Sequence, residues 1–398
     1  TFYKNGSSQG VAATGLTDGP YLPSVVINGS SRSCSVNFGQ RPSIQTVPTG
    51  YVSLCTKNLS EPLIADPSTA FDVALWTGNG GTQTISGLNL SPDFVWIKNR
   101  SNSYNHHLLD TVRGANDGQN VLYSNLTNAE GATNSLLDFT SDGFTVGSNS
   151  SVNHNSSAIV GWAWDAGTST VSNTDGSITS QVRASQTNGI SVVSYTGTGT
   201  SATVGHSLNA APAIYIIKSR GSVTDWQVST TVIDGSHDYL QLNTTSAKQN
   251  SGRAAPTSSV LSIGSGSVLN ASGVGFIAYC FAPVNQFSSF GSYIGNGSAD
   301  GPFVYTGMRP RWLLIKRTDS TASWHLYDTA RGSTNVVTTT LDANTNSTES
   351  SFTSGYDIDL LSNGFKARAA SSNAINASSG TYLYIAFAEH PFKTARAR

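Results

Sequence analysis

The chain has 398 residues, with 22 basic and 23 acidic side chains, a net charge of −1 and only 11% charged residues. No basic run is available to replace phosphate counterions, which excludes nucleic acid as the expected partner. No apolar stretch approaches the ~20 residues of a membrane helix, which excludes helical insertion. Four glutamates and one methionine leave little helix-forming material, whereas 39 glycines and abundant Ser, Thr and Asn suit strands and turns. The composition predicts an all-β protein.

Taken in chain order, the first fifty residues read as short strands at 1–3, 11–13, 21–27 and 34–38, with Asn5-Gly6 as a hairpin turn. FYKNG at 2–6, the proline-led strand 23–27 and VNFGQRP at 36–42 together resemble the C-terminal half of a SPRY domain. That resemblance implies that 1–46 is part of a concanavalin-like β-sandwich. Its completing strands would then lie upstream of Thr1 or come from another chain, since an open half-sandwich leaves an edge prone to aggregation. The chain opens inside a strand and turn, so Thr1 is not expected to be a natural start. Residues 47–69, with Pro48, Pro62 and Pro67, read as a linker or strap. Its Tyr51, Leu54, Leu63 and Ile64 are expected to pack on a neighbour.

The remainder is organised by repetition, which is settled before other features. PDFVWIKNR at 92–100 recurs as PAIYIIKSR at 212–220 and PRWLLIKRT at 310–318. Ahead of each copy lies an aromatic–glycine turn: WTGNG at 76–80, YTGTG at 195–199 and YIGNG at 293–297. Behind each comes a closing apolar strand around 161–164, 278–281 and 386–388. The period of roughly 100 residues exceeds a solenoid unit. It predicts three tandem β-sandwich domains at 70–166, 189–284 and 289–390, with 167–188 as a polar linker and 391–398 as a short basic tail. Asp142-Gly143 and Asn363-Gly364 read as matching hairpin turns.

The SPRY-like start, the proline-containing strap and the tandem copies together resemble structural, tail-fibre-like proteins of bacteriophages, particularly marine and cyanobacterial ones. The likeness spans nearly the whole chain. It implies concanavalin- or jelly-roll-like sandwiches, a place in the virion, other virion proteins as partners and homo-oligomerisation. The function expected is adhesion to host-surface glycans through multivalent weak contacts. The alternatives are a purely structural virion component, such as a head decoration or fibrous appendage, and a glycan depolymerase.

Candidate contact residues are Trp76, Tyr195 and Tyr293, whose rings next to glycine turns are expected to be exposed for sugar stacking, and Asn79 and Asn296 in the same turns. Trp96, Trp162, Trp164 and Trp312 read as core. Lys98, Lys218 and Lys316 end the apolar strands. They are expected to lay their stems over apolar surface and reach water, although anionic sugars or a next subunit would also suit them. Asp110/Arg113 and Asp328/Arg331 share an Asp-x-x-Arg-Gly pattern expected to make a local salt bridge; the second repeat lacks it, which predicts a looser loop.

Catalysis is not expected. A glycosidase needs two carboxylates across one cleft, and Asp357-Ile358-Asp359 has no counterpart in the other repeats. His106 and His107 are neighbours on a strand and point to opposite faces, so they are expected to be surface or half-buried structural residues. His325 lacks an acidic partner at matching spacing. Cys34, Cys55 and Cys280 fit neither a disulfide framework nor a zinc site and are expected to be small buried side chains. No cofactor or metal is called for.

Overall fold

The computed structural model describes residues 3–4, 7–11, 14, 33–35, 56–114, 120–351 and 355–395. Two compact units result, Thr1–Glu61 and Pro62–Arg398. In the first, Tyr3–Lys4 pairs antiparallel with Ser7–Ser8, and Cys34 is exposed rather than buried. Val11, Cys34 and Ser35, expected in strands, are exposed and form none; the rest of the strands expected before residue 46, and Tyr51, Leu54 and Cys55, lie outside the described residues.

The second unit is all-β, with only single-turn helices, and no helix among the described residues is long and apolar enough to cross a membrane. Each repeat contributes one main antiparallel sheet built the same way. An opening strand (Phe71–Thr77, Ile190–Thr196, Ser288–Ile294) pairs with a closing strand (Ala158–Trp164, Gly275–Phe281, Thr381–Pro391). The closing strand pairs in turn with the lysine strand (Phe94–Asn99, Ile214–Ser219, Met308–Arg317). The lysine strand pairs with a flank strand (His107–Asp110, Gln227–Thr230, Trp324–Asp328). A smaller outer sheet covers one face. It has three strands in the first repeat (Gln83–Ile85, Gly143–Val146, Leu136–Thr140) and in the third (Phe303–Tyr305, Gly364–Ala367, Ile358–Leu361), but two in the second (Thr203–Gly205, Val260–Ser262).

The opposite face of every main sheet turns inward. Because side chains alternate along a strand, Val160, Trp162 and Trp164 enter a central cluster while Ile159 and Ala163 enter the first repeat's outer core. In the second repeat Ile277, Tyr279 and Phe281 point to the centre, and Phe276, Ala278 and Cys280 point outward. Strands covered on both faces are continuously apolar, as these are. Register makes Trp164, Phe281 and Phe387 equivalent: they stand opposite Phe94, Ile214 and Trp312 on the lysine strands. Their rings form a triangle with centroid separations of 5.7, 5.7 and 6.4 Å. The three repeats thus close on one shared core.

Three local expectations change. The span 167–188, read as a linker, forms strands Thr170–Asn173 and Ser180–Ser185, which extend the second sheet to eight strands, because Ile178 and Val182 are buried. Ile64 of the strap joins the central cluster, whereas Leu63 is 67% exposed. The turn before Gly143 is Ser141-Asp142, with Gly143 itself opposite Thr140 in the ladder. A Cβ at Gly143 would lie 1.8 Å from the Ile85 carbonyl oxygen, so the glycine serves close approach of two strands rather than the turn.

A shared core predicts cooperative folding. Pro62–Arg398 should unfold in one transition with equal calorimetric and van't Hoff enthalpies, and a fragment of 70–166 should lack dispersed amide resonances. Three separable transitions, or a folded single repeat, would refute this.

Candidate functional site

The glycine turns come first because they recur. Trp76, Tyr195 and Tyr293 are 9%, 3% and 8% exposed, which corrects the expectation of exposed stacking rings. The reason is a polar anchor in each repeat. Trp76 Nε1 donates to the Val152 carbonyl, Tyr195 OH to that of Leu269 and Tyr293 OH to that of Ile375, at 3.1, 2.7 and 2.9 Å. The ring faces are covered as well: Tyr195 stacks on Phe276 at 5.2 Å and Tyr293 on Tyr382 at 5.0 Å.

The residue after each anchoring carbonyl is a fully buried asparagine, Asn153, Asn270 or Asn376. Its Oδ1 accepts the backbone N–H of Asn79, Thr198 or Asn296 at the turn. Its Nδ2 donates to turn and outer-sheet carbonyls, those of Gly81 and Gly147, of Thr200 and Gly264, and of Ser298 and Ala369. Asn79 and Asn296 are exposed, but their side chains accept from Gly81 N and Ser298 N within the turns. The recurrent signal was present as Val152-Asn153, Leu269-Asn270 and Ile375-Asn376, and the sequence reading missed it.

Lys98, Lys218 and Lys316 are also fully buried, so they do not reach water as expected. Each ammonium donates to carbonyls of its own following turn: Lys98 to Asn99 and Asn102, Lys218 to Ser219 and Ser222, Lys316 to Ala322. Lys218 also reaches Thr127 of the first repeat, and Lys316 reaches Thr245 of the second, both at 3.1 Å. Burial lowers Lys98 to about 7, with Glu349 opposing, and Lys218 and Lys316 to about 8.

These lysines mark a joint that passes cyclically from repeat to repeat. Backbone N–H groups of Glu130, Lys248 and Glu349 donate to the carbonyls of Arg220, Thr318 and Arg100 in the next repeat. Trp226 Nε1 donates to the Tyr123 carbonyl and Trp324 Nε1 to that of Gln241. His106 holds the matching place at the third joint. Trp96 Nε1 can only donate, so His106 Nδ1 accepts it and Nε2–H donates to the Asp342 carbonyl at 3.1 Å. Both His106 and His107 are buried, not half-exposed, and burial holds both well below the usual imidazole range, His107 at about 3.

Asp110–Arg113 and Asp328–Arg331 do pair, and each pair is buried and continued across a joint. Tyr279 OH of the second repeat donates to Asp110 at 2.8 Å, and Trp162 Nε1 of the first donates to Asp328 at 3.0 Å. In the second repeat Lys248 bridges Asp234 and Asp238 at 2.7 Å each, so that loop is tied rather than loose. His325 does have an acidic partner, Asp342 Oδ1 at 2.7 Å, from the strand paired beside it. Asp359 lies 3.5 Å from Arg368. Among the described residues no cluster of His, Cys, Asp and Glu is placed to hold a metal ion.

A feature that does not recur is a groove of about 610 Å³ in the second repeat, lined by polar and apolar side chains in about equal measure. It lies beside Val260–Ser262, where the other repeats carry a third outer strand. The segment 251–256, containing Gly252 and Pro256, fails to make that strand; proline cannot donate to a ladder. Asp225, Gln227, Tyr239, Gln241, Arg253 and Ser262 line the groove. Arg253 Nη1 donates to the Ser262 carbonyl at 2.9 Å and Nη2 to Ser229 Oγ at 3.1 Å. Among the described residues it has no carboxylate partner within ion-pair distance, whereas Asp225 is held by the amides of Gln241 and Asn243 at 2.7 Å each. Composition gave no signal for this site, because it arises from a missing strand.

By fold, then, this is an all-β protein whose three repeats share one core and one of which opens into a groove. The chain belongs to a family described as a domain of unknown function, DUF7483, whose model matches residues 66–391 and so takes in all three repeats. No curated protein matches the chain, and no solved structure does.

Two outcomes follow from the joints and turns. Asn270→Ala strands the Thr198 N–H and two carbonyls and should lower stability by roughly 1–3 kcal/mol, read by denaturant titration; no loss would show that the turn is not clamped there. The buried lysines fix a pH dependence. An unfolded lysine titrates near ~10.4, so between about pH 7 and 9.5 the unfolded chain binds more protons and stability should rise with pH. Above about pH 10 the buried Tyr195, Tyr279 and Tyr293, all held above their ordinary range by burial, reverse the trend. Lys218→Met should flatten the rising limb; an unchanged slope would contradict the assignment.

Proposed function

We propose that the protein is a non-catalytic structural component of a bacteriophage virion, tail-fibre-like, that attaches to host-surface glycans. The observation that carries this reading is the groove of the second repeat, a cavity lined by apolar side chains together with amide, carboxylate, guanidinium and tyrosine groups. Such a mix of an apolar ring and hydrogen-bonding edges suits a polyhydroxylated ligand. The motifs resembling phage structural proteins support the place in the virion, other virion proteins as partners and homo-oligomerisation. The two-layered build of each repeat supports the jelly-roll-like reading. Because the turn aromatics are buried, avidity comes from copies of the chain, not from three turns within one.

One observation favours a second reading, a virion component that binds only other virion proteins: the repeated turns are used internally by Asn153, Asn270 and Asn376. Locating the chain in an electron cryomicroscopy map of the intact particle, with a glycan array probed by the full chain, separates the two. A distal position with the groove open and glycans bound is the expected result. A chain lying between subunits with the groove covered, and a blank array, leaves the structural component.

A further inference from the structure

We infer that the groove of the second repeat is a site for a carboxylate-bearing oligosaccharide, of the hexuronic-acid or sialic-acid class, with Arg253 taking the carboxylate. The inference rests on the glycan-adhesion reading and makes it specific.

The first argument is charge. In Pro62–Arg398 the other arginines of the described residues pair with carboxylates, including Arg100, Arg113, Arg220, Arg309 and Arg331. Arg253 is half-buried, lines the cavity and bonds to the neutral Ser262 carbonyl and Ser229 hydroxyl, with the Tyr215 phenol beside it. A guanidinium has five N–H donors in a planar fork, so donors remain for a carboxylate, the geometry it matches bidentately. Asp225, in the same groove, keeps its negative charge and interacts electrostatically with Lys218. Its oxygens are engaged by Gln241 and Asn243, and their remaining lone pairs accept sugar hydroxyls. Gln227 and Tyr239 add further polar edges, and a volume of about 610 Å³ holds a short oligosaccharide.

The second argument excludes the other natural occupant of a missing-strand position, an extended peptide adding to the sheet. Strand addition needs free backbone groups on the edge. Here the Val260 N–H donates to Thr257 Oγ1 and its carbonyl accepts from Thr257 N–H, each at 3.0 Å, while the Ser262 carbonyl is taken by Arg253. Three of the four outward backbone groups of this edge are taken by the protein itself, which leaves too few for a ladder.

The test titrates the full chain calorimetrically with acidic trisaccharides of the hexuronic-acid and sialic-acid types, and with their methyl esters, which keep the shape and lose the charge. At least one acid should bind, its ester at least tenfold more weakly, and added salt should weaken the acid. Arg253→Gln should cost at least tenfold and Arg253→Lys less. Ser265→Trp, an exposed substitution at the groove, should abolish binding; should Arg253→Gln fail to fold, this variant and the ester comparison still decide. Equal binding of acid and ester, or binding that survives both Arg253→Gln and Ser265→Trp, would overturn the site while leaving adhesion standing. Capture of extended peptides at the groove in place of sugars would also overturn it. No binding to these acids or to any glycan of a broad array would end both readings.

Discussion

The triangle of Trp164, Phe281 and Phe387 requires each main sheet to be covered on both faces, and most of the unusual chemistry of this chain follows from that. A strand with an apolar centre on one side and an outer core on the other has no wet face, so its ends become the places where polar groups enter a dry interior. An unpaired buried polar group costs more than a hydrogen bond contributes. The lysines at the ends of the central strands are therefore cradled by turn carbonyls, and two of those carbonyls belong to the neighbouring repeat. A residue that would cap a strand at a free surface here fastens one repeat to the next.

The same constraint explains why the joints differ while the backbone does not. Two joints bury Asp–Arg pairs whose remaining valences are met by Tyr279 and by Trp162 from another repeat. At the third, the residue in the arginine position is Ile233, and the counterpart of Tyr279 and Trp162 by register is Ile385; both belong to the central cluster. Breaking a buried ion pair leaves an uncompensated charge, whereas replacing the whole set by apolar groups is often neutral. The joint tolerates either complete solution and no half-way one. Lys248, standing where the other repeats have Glu130 and Glu349, fits this: with no arginine to meet, it turns to Asp234 and Asp238.

Much of this was legible in the sequence. The lysine strands, the closing strands and the core tryptophans lie where their spacing placed them, because long apolar runs specify buried strands strongly. The sharing of one core was not read, although the signal existed. PDFVWIKNR is apolar without alternation, as in a strand covered on both faces, whereas a sandwich strand with one wet face alternates. Lys98 and Trp76 were misplaced for one reason: polarity at a strand end was taken as contact with water, when the satisfying carbonyls come from residues 1 to 76 positions away or, for Lys218, from another repeat. His325 found Asp342 across a ladder, a partner that local spacing cannot show.

Threefold repetition also supplies an internal control. A residue that recurs at equivalent positions, such as Asn153, Asn270 and Asn376, answers a demand of the fold, since all three repeats face the same packing problem. A departure confined to one repeat needs a separate reason. The Ile233–Ile385 joint has one in electrostatics. The missing outer strand does not, because third strands complete the same outer sheet in both sister repeats, and where it is missing Tyr239 and Arg253 stay half-exposed. A local rule broken without a structural return is where function is expected to reside. That reasoning, rather than the size of the cavity, singles out the groove.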